Sequence, residues 1–284
     1  MATNSKYQFT NNKKVVFGQT LIQIQATKDF TRADGYKIKE GDLGGFIQNE
    51  QNLSQNGLCW LDETSYALHS ARILDDALAL NGSILRDNSI LCERAMFKNS
   101  TICGKASVGG ENQIKNSSIA DEAVIQGKCL ICDSSVGDNA IISGEAKIYH
   151  SNVIDRAQVK DRAQLLDEVT VMDNAIVCGD TTLCSNIVAM ENVYIKTGKF
   201  DFQKFLVKDE LFANKIHKVN LNDNSLKDYF NALKAIHLLL AQGTKAKFNL
   251  SYDGVYHFDV LIDINDSISI KIDKKSIDDL AKIA

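Results

Sequence analysis

Between about Tyr66 and Ile195 the chain repeats a six-residue pattern in which an aliphatic residue follows a small residue by two positions. A clear copy is Ile119-Ala-Asp-Glu-Ala123. The small residues are separated by steps of six, six and five, and they fall at positions 83, 89, 95, 100, 106, 112, 117, 123, 129, 134, 140, 146, 151, 157 and 163. Three short faces therefore close in 17 residues, which predicts a coil that repeats along one axis.

Residues two apart on an extended face point to the same side of the backbone, so the small and aliphatic positions should line the inside of each coil. We expect Val136, Ile142 and Ile148 to be buried there, with Asp138, Glu145 and Lys147 pointing outward. Each coil would pair its backbone with its neighbours at a spacing of about 4.8 Å. The pattern therefore predicts a parallel β-helix.

Turn-forming residues occupy the predicted corners, which require backbone conformations that Gly, Asn and Asp adopt readily. One corner column contains Asp87, Gly104, Asp121, Asp138, Asp155 and Asp173, a second contains Gly110, Gly127, Gly144 and Asp161, and the short corner contains Asn99, Asn116, Asp133, His150 and Asp167.

The open ends of a β-helix are unpaired sheet edges, and the flanking segments are expected to cover them. We predict an N-terminal β cap over residues 1–65, the β-helix over 66–198 and a C-terminal α+β module over 199–284. The module should contain a plug formed by Phe200, Phe202 and Phe205, a helix over 226–242, a hairpin of strands 248–252 and 255–262, a third strand over 267–272 and a short helix from Ser276.

Composition narrows the possible functions. Thirty-two basic and 36 acidic residues give a formal charge of -4 without a one-sign block, so a nucleic-acid partner is not expected. The sequence has no apolar run that approaches the roughly 18 residues needed to span a membrane. Met1 to Thr10 is too polar for a signal peptide. We therefore expect a cytoplasmic protein whose seven cysteines are reduced thiols. The chain has no proline, which fits a fold of continuous backbone pairing.

The hexapeptides resemble those of left-handed parallel β-helices in the hexapeptide-repeat, trimeric LpxA-like superfamily, many of whose members are acyltransferases. The segment Gly41-Asp-Leu-Gly-Gly-Phe46, with Asn52-Leu-Ser54 and Cys59-Trp60 after it, resembles YdcK-like bacterial proteins. This resemblance covers about residues 20–195. It implies a left-handed parallel β-helix entered through a short β-rich segment, and it leaves the C-terminal module unexplained.

Two functions follow. The leading interpretation is a non-catalytic β-helical scaffold that binds a protein partner or self-associates, with no cofactor. The alternative is a trimeric acyltransferase of the hexapeptide class that uses an acyl-CoA as substrate and a hydroxyl or amine as acceptor. In such an enzyme a histidine deprotonates the acceptor. His150 is the first candidate for this base because it lies on a corner, yet a turn residue explains it better, since Asn and Asp otherwise fill its column. His69, beside Leu68, is a weaker candidate.

Two further groups of residues suggest chemistry. Cys129 and Cys132 have the spacing of a metal or redox motif, but Cys129 falls in the inward column and Cys132 should point outward, so a metal site is not expected. The corner carboxylates could bind a cation. Alternatively, each carboxylate accepts a backbone N–H in its own corner, with Lys105, Arg156 and Arg162 diluting the negative charge.

Overall fold

The computed structural model describes residues 5–184, 187–190, 192–196 and 198–201, with side chains up to residue 199, and the strands at 206–208, 246–252, 256–262 and 268–272. The chain divides into two compact units, residues 1–144 and 145–284. Nearly all of the described secondary structure is β-strand. Within the described part, no helix is long and apolar enough to cross a membrane.

The first unit begins with five strands, β1 (Tyr7–Val16), β2 (Gln19–Ala26), β3 (Phe30–Thr31), β4 (Lys37–Ile38) and β5 (Leu43–Ile47), and a 3-10 turn at Glu50–Asn52. Strands β1 and β2 form an antiparallel hairpin, and β2 pairs antiparallel with β5. Strand β5 then pairs in parallel with the strand Tyr66–Ala67 of the first coil. The predicted N-terminal β region is therefore continuous with one sheet of the β-helix.

Three parallel sheets form the coils of the first unit, and the aligned strands belong to successive coils. The first sheet contains Tyr66–Ala67, Ile84–Leu85, Thr101–Ile102, Ser118–Ile119 and Ser135–Val136. The second contains Arg72–Ile73, Ile90–Leu91, Ser107–Val108, Val124–Ile125 and Ile141–Ile142. The third contains Trp60–Leu61, Leu78–Leu80, Met96–Lys98, Gln113–Lys115 and Leu130–Cys132.

The second unit contains parallel coils of the same kind. Its strands are Lys147–Tyr149, Asn152–Val153, Gln158–Val159, Gln164–Leu166, Thr170–Val171, Ile176–Val177, Thr182–Cys184, Val188–Met190, Tyr194–Ile195, Lys199–Asp201 and Leu206–Lys208. Ala246–Tyr252, Tyr256–Ile262 and Ile268–Ile272 follow as an antiparallel meander. The meander confirms the predicted hairpin and third strand. The Phe200, Phe202 and Phe205 plug, the 226–242 helix and the helix from Ser276 lie outside the described residues and side chains, and the boundaries at 65 and 198 stay predictions.

The predicted lumen is confirmed position by position. Every small residue of the predicted series from 83 to 163 is buried. Val136, Ile142 and Ile148 have no exposed surface, whereas Asp138 and Lys147 are exposed. Parallel strands stacked around this apolar interior form the predicted parallel β-helix.

The coil length is not uniform, which corrects the predicted short corner. Aligned strands are 17 residues apart from Ile84 to Thr101, as predicted, but 18 apart from Tyr66 to Ile84 and from Asn152 to Thr170. The longer coils have two left-handed residues at the corner, as in Asp167 and Glu168 with φ of 60° and 61°, where a 17-residue coil has one. The added residue leaves the strands in register, but it makes the sequence spacing between the residues aligned across that coil 18 instead of 17.

The Gly-Gly pair of the GDLGGF segment exists because the chain approaches the first coil closely. A Cβ atom on Gly44 would lie 2.6 Å from Cζ2 of Trp60, and one on Gly45 would collide with the carbonyl oxygens of Asp62 and Ser65. Phe46 donates its backbone N–H to Ser65 O at 3.0 Å. The motif is thus a packing requirement at the start of the β-helix.

Val136→Asp should destabilise the protein by several kcal/mol, because the lumen would hold an unpaired charge. The matched control is Ser135→Asp on the exposed side of the same strand. Thermal unfolding of both variants would check this, and equal melting temperatures would contradict the lumen register.

Gly45→Ala should lower the melting temperature clearly, since backbone carbonyls cannot move aside for the new methyl group. Gly109→Ala is the control, because there the new methyl group meets only the flexible side chains of Gln126, Cys92 and Glu93. A Gly45→Ala protein as stable as the control would refute the close-approach explanation.

Candidate functional site

His69 lies at the first full corner of the β-helix and is held there by side chains from the preceding turn. Its backbone has a φ of 56°, in the left-handed region that β-helix corners need. The His69 N–H donates to Oε1 of Gln48 at 2.6 Å, and Nδ2 of Asn52 donates to the His69 carbonyl at 3.0 Å. Asn52 is fully buried. The position of the imidazole is therefore fixed through its backbone.

The His69 ring pairs with the carboxylate directly beside it in the next coil. Nδ1 of His69 lies 3.1 Å from Oδ1 of Asp87, and the Asp87 backbone N–H donates to the same Nδ1 at 3.3 Å. The other carboxylate oxygen, Oδ2, accepts the N–H of Gly104 at 3.1 Å. About a third of each side chain is exposed, 36% for His69 and 34% for Asp87. The pair is thus both oriented by its neighbours and open to solvent.

The charge on Asp87 is stabilised at neutral pH. Partial burial acts to raise the pKa of the carboxyl, but the Gly104 N–H, the His69 ring and the nearby guanidinium of Arg86 outweigh it and hold the pKa below its ordinary value of 3.8. The guanidinium lies 3.7 Å from Oδ2. Asp87 is therefore an anion that can orient an imidazole and stabilise its protonated form.

The β1–β2 hairpin packs beside this pair. Leu21 of the hairpin forms a buried cluster with Phe46 and Leu68, against which Val16, Tyr66 and Ile84 also pack. At the edge of this cluster, Nε2 of Gln48 donates to Oε1 of Gln19 at 3.1 Å. Full burial of one leucine contributes about 1.5–3 kcal/mol. Gln48 thus joins the hairpin to the backbone of the candidate base.

Two basic side chains and an exposed aromatic ring lie at the β1–β2 hairpin. Nζ of Lys14 lies 2.5 Å from the Tyr66 hydroxyl oxygen and 4.8 Å from the centre of the Tyr66 ring. The guanidinium of Arg86 lies 6.0 Å from the centre of the Phe17 ring, and Phe17 is 64% exposed. The candidate site therefore combines an imidazole, a carboxylate and two basic side chains with the apolar tip of the β1–β2 hairpin.

The structure places His150 where the sequence predicts it, on an exposed corner with a φ of 45°. Its carbonyl accepts the N–H of Glu168 at 2.7 Å. Asn99, Asn116 and Asp133 have the same left-handed conformation. The predicted corner position of His150 and its turn conformation are confirmed, while its role as a general base stays a prediction. His217 and His237 lie outside the described residues, and the side chain of His257 is not among those described.

The cysteine prediction is confirmed in orientation: Cys129 is buried and Cys132 is half-exposed. The seven cysteines all lie in the described part of the chain, and none is in a disulfide.

Corner carboxylates accept backbone N–H groups from the following coil, whereas one interpretation expected the N–H of the same corner. Oδ2 of Asp121 accepts the N–H of Asp138 at 3.2 Å, and Oδ2 of Asp155 accepts that of Asp173 at 3.0 Å. In both pairs the left-handed corner turns its N–H toward the preceding coil. These carboxylates therefore connect successive coils.

Two of the cations expected to dilute the corner charge have carboxylate partners of their own. Lys105 pairs with Glu122 at 2.6 Å, and Arg162 pairs with Asp180 at 2.6 Å. The corner aspartates are thus stabilised mainly by amide donors and not by these two side chains.

The pairing of His69 with Asp87 was missed because a 17-residue step from Asp87 leads back to Ser70. The sequence signal for this pairing is Asn81-Gly82, two successive turn-forming residues at one corner. Both have positive φ in the structure, so this coil contains 18 residues. An 18-residue step aligns Asp87 with His69. The contacts of Gln48 and Asn52 lack a comparable signal, since they lie in the non-repeating segment.

Neither a protein-family model nor a curated protein sequence matches this chain. Among solved structures, the UDP-N-acetylglucosamine acyltransferase from Campylobacter jejuni aligns with 69% of this chain and 84% of its own, at 11% sequence identity and a TM-score of 0.26. A TM-score this low supports no inference about the fold or the activity of the chain. The resemblance to YdcK-like proteins stays a prediction.

Asp87→Asn should reduce stability at neutral pH, and the difference from the parent protein should shrink on acidification. A depressed folded-state pKa contributes stability that is present above the unfolded pKa of about 3.8 and lost as the pH falls through the folded value. Melting temperatures between pH 7 and pH 2 would check this. Glu63→Gln, at an exposed position, is the control. A difference independent of pH would contradict the role of the Asp87 charge.

Proposed function

We propose that the protein is an acyltransferase that moves an acyl group from a coenzyme A thioester to a hydroxyl or amine acceptor, with His69 as its general base. The observation that supports this most directly is the 3.1 Å contact between Nδ1 of His69 and Oδ1 of Asp87 on a partly exposed corner. The resemblance of the coils to hexapeptide-repeat proteins, many of which are acyltransferases, supports it independently.

The arrangement suits general-base catalysis. Nδ1 cannot both accept the Asp87 N–H and donate to the carboxylate, so the proposed mechanism uses the tautomer in which Nδ1–H donates to Oδ1 of Asp87. In that tautomer the lone pair of His69 is on Nε2, which would take the proton from the acceptor as it attacks the thioester carbonyl. Asp87 would hold the tautomer and stabilise the imidazolium that forms. The imidazolium would then return the proton to the departing thiolate. Gln48 and Asn52 act through the His69 backbone and are positioning residues.

Arg86 would interact with the acyl donor. Its guanidinium is 42% exposed and lies beside the carboxylate of Asp87, so it places a positive charge next to the base. A positive charge there would stabilise the negative charge that develops on the thioester carbonyl oxygen when the acceptor attacks. In the proposed complex, Arg86 therefore faces the thioester carbonyl while His69 faces the acceptor.

A second function, the non-catalytic binding of a protein partner, is favoured by the hairpin tip. Val15 is 70% exposed and Phe17 is 64% exposed. Exposed apolar side chains on a rigid hairpin are suited to contact with another macromolecule. This function requires neither His69 nor an acyl donor, which makes the two functions separable by experiment.

His69→Ala should lower acyl transfer by a factor on the order of 10² to 10⁴ while leaving the fold intact, because the base is lost and the corner remains. The assay would follow loss of the acetyl-CoA thioester with a panel of sugar hydroxyls and primary amines, alongside calorimetric binding of acetyl-CoA. His150→Ala, an exposed corner histidine, is the matched control and should retain activity.

A loss of transfer in His150→Ala but not in His69→Ala would move the base to the corner that the sequence favours. If the parent protein neither binds acetyl-CoA nor transfers its acetyl group, the acyltransferase proposal is wrong. Binding by the hairpin tip would then be tested by Phe17→Ser in the full chain.

A further inference from the structure

Lys6 and Cys59 form a buried pair at the point where the N-terminal strand meets the first coil. Lys6 directly precedes β1, and Cys59 directly precedes the coil strand Trp60–Leu61. Lys6 is 2% exposed and Cys59 is fully buried. Nζ of Lys6 lies 3.1 Å from Sγ of Cys59. The amine and the thiol are thus in contact, although 53 residues separate them in the chain.

The backbone around the pair fixes the amine in this position. Nζ donates to the carbonyl oxygen of Cys59 at 2.8 Å and to that of Gly57 at 3.3 Å. The Lys6 backbone N–H also donates to Oε1 of Gln55 at 2.8 Å. Since the main chain of Lys6 and its amine are both bound to the same loop, the nitrogen cannot swing away from the sulfur without opening the strand.

Burial shifts both groups toward their neutral forms. Burial lowers the pKa of the Lys6 ammonium, with Cys59 opposing part of the effect. Burial also raises the pKa of the Cys59 thiol, and Lys6 acts against that shift. A larger fraction of Lys6 is therefore the neutral amine than at an exposed position, and a neutral amine is a nucleophile.

We propose that Lys6 and Cys59 are an oxidative modification site, at which a peroxide joins Nζ and Sγ in a reversible sulfenamide bond. In the first step Nζ takes the thiol proton and the Sγ thiolate attacks hydrogen peroxide, so an S–O bond forms and the O–O bond breaks. The departing hydroxide takes the proton back from Nζ and leaves as water, which gives the sulfenic acid and the neutral amine. In the second step Nζ attacks the sulfur, the S–O bond breaks and a second water leaves. One thiol, one amine and one peroxide thus give one sulfenamide and two waters.

The amine would capture the sulfenic acid because it is already in contact with the sulfur. Capture would prevent further oxidation to the sulfinic acid, which is irreversible in most proteins. The bond would also attach the start of β1 covalently to the first coil. The β1–β2 hairpin that packs beside His69 would then be fixed at its origin.

The test is mass spectrometry of the full chain after treatment with hydrogen peroxide, followed by cleavage after glutamate. The expected product joins the peptide that ends at Glu40 to the peptide Gln51–Glu63, with a mass equal to their sum less two hydrogens and fragments that place the bond on Lys6 and Cys59. Dithiothreitol should release both peptides.

Lys6→Gln and Cys59→Ser should each abolish the joined peptide, whereas Cys92→Ser, which removes a half-exposed thiol, should leave it unchanged. The melting temperature should rise after oxidation of the parent protein and not of either variant, because the cross-link restricts the unfolded chain. The proposal is overturned if Cys59 of the parent protein goes to the sulfinic acid without a joined peptide. It is also overturned if Cys59 stays unmodified while Cys92 is oxidised.

Discussion

Everything in this molecule depends on the parallel backbone pairing that sets each coil in register with the next. Because the register is fixed, equivalent residues of neighbouring coils stack about 4.8 Å apart, and each column must tolerate contact with copies of itself. Columns of polar side chains meet this requirement through hydrogen bonds in one column and ion pairs in another. Nδ2 of Asn99 donates to Asn116, whose own Nδ2 donates to Asp133, each at 2.9 Å. On another column, Glu111 lies between Arg94 and Lys128, at 3.5 and 2.9 Å.

This constraint explains which features of the fold the sequence predicts. The lumen is recognisable because every coil needs small residues at its inward positions, so the pattern recurs between residues 83 and 163. The strands of the C-terminal meander are recognisable for a local reason, the Asp253-Gly254 turn between two apolar runs. The columns of salt bridges are harder to predict from the sequence, because a Lys or Glu at an outward position has many possible partners until the strand register is known.

The site was harder to predict because it lies where the repetition fails. His69 occupies a corner column in which the next coils have Asp87, Gly104 and Asp121, so its imidazole meets a carboxylate one coil away. A difference of one residue in coil length decides whether Asp87 aligns with His69 or with Ser70. Contacts such as Lys6 with Cys59, or Gln48 with Gln19, join segments without any periodicity, so spacing alone gives no information on them.

The same break in repetition makes the N-terminal end the best place for chemistry. In the middle of the first unit, each residue of a column has the same surroundings as the residues above and below it. Such a column gives little opportunity for two chemically different side chains to form a pair that the other coils lack. At the start of the β-helix, β5 and the hairpin replace the preceding coil, and the segment directly after β5 supplies Gln48 and Asn52 to hold the His69 backbone. His69 has a carboxylate partner in the next coil and support from outside the repeat. A corner does not need that support to form, since Asp75 and Asp121 adopt the same left-handed conformation without the contacts of Gln48 and Asn52, and this is the physical reason to propose His69 as the base.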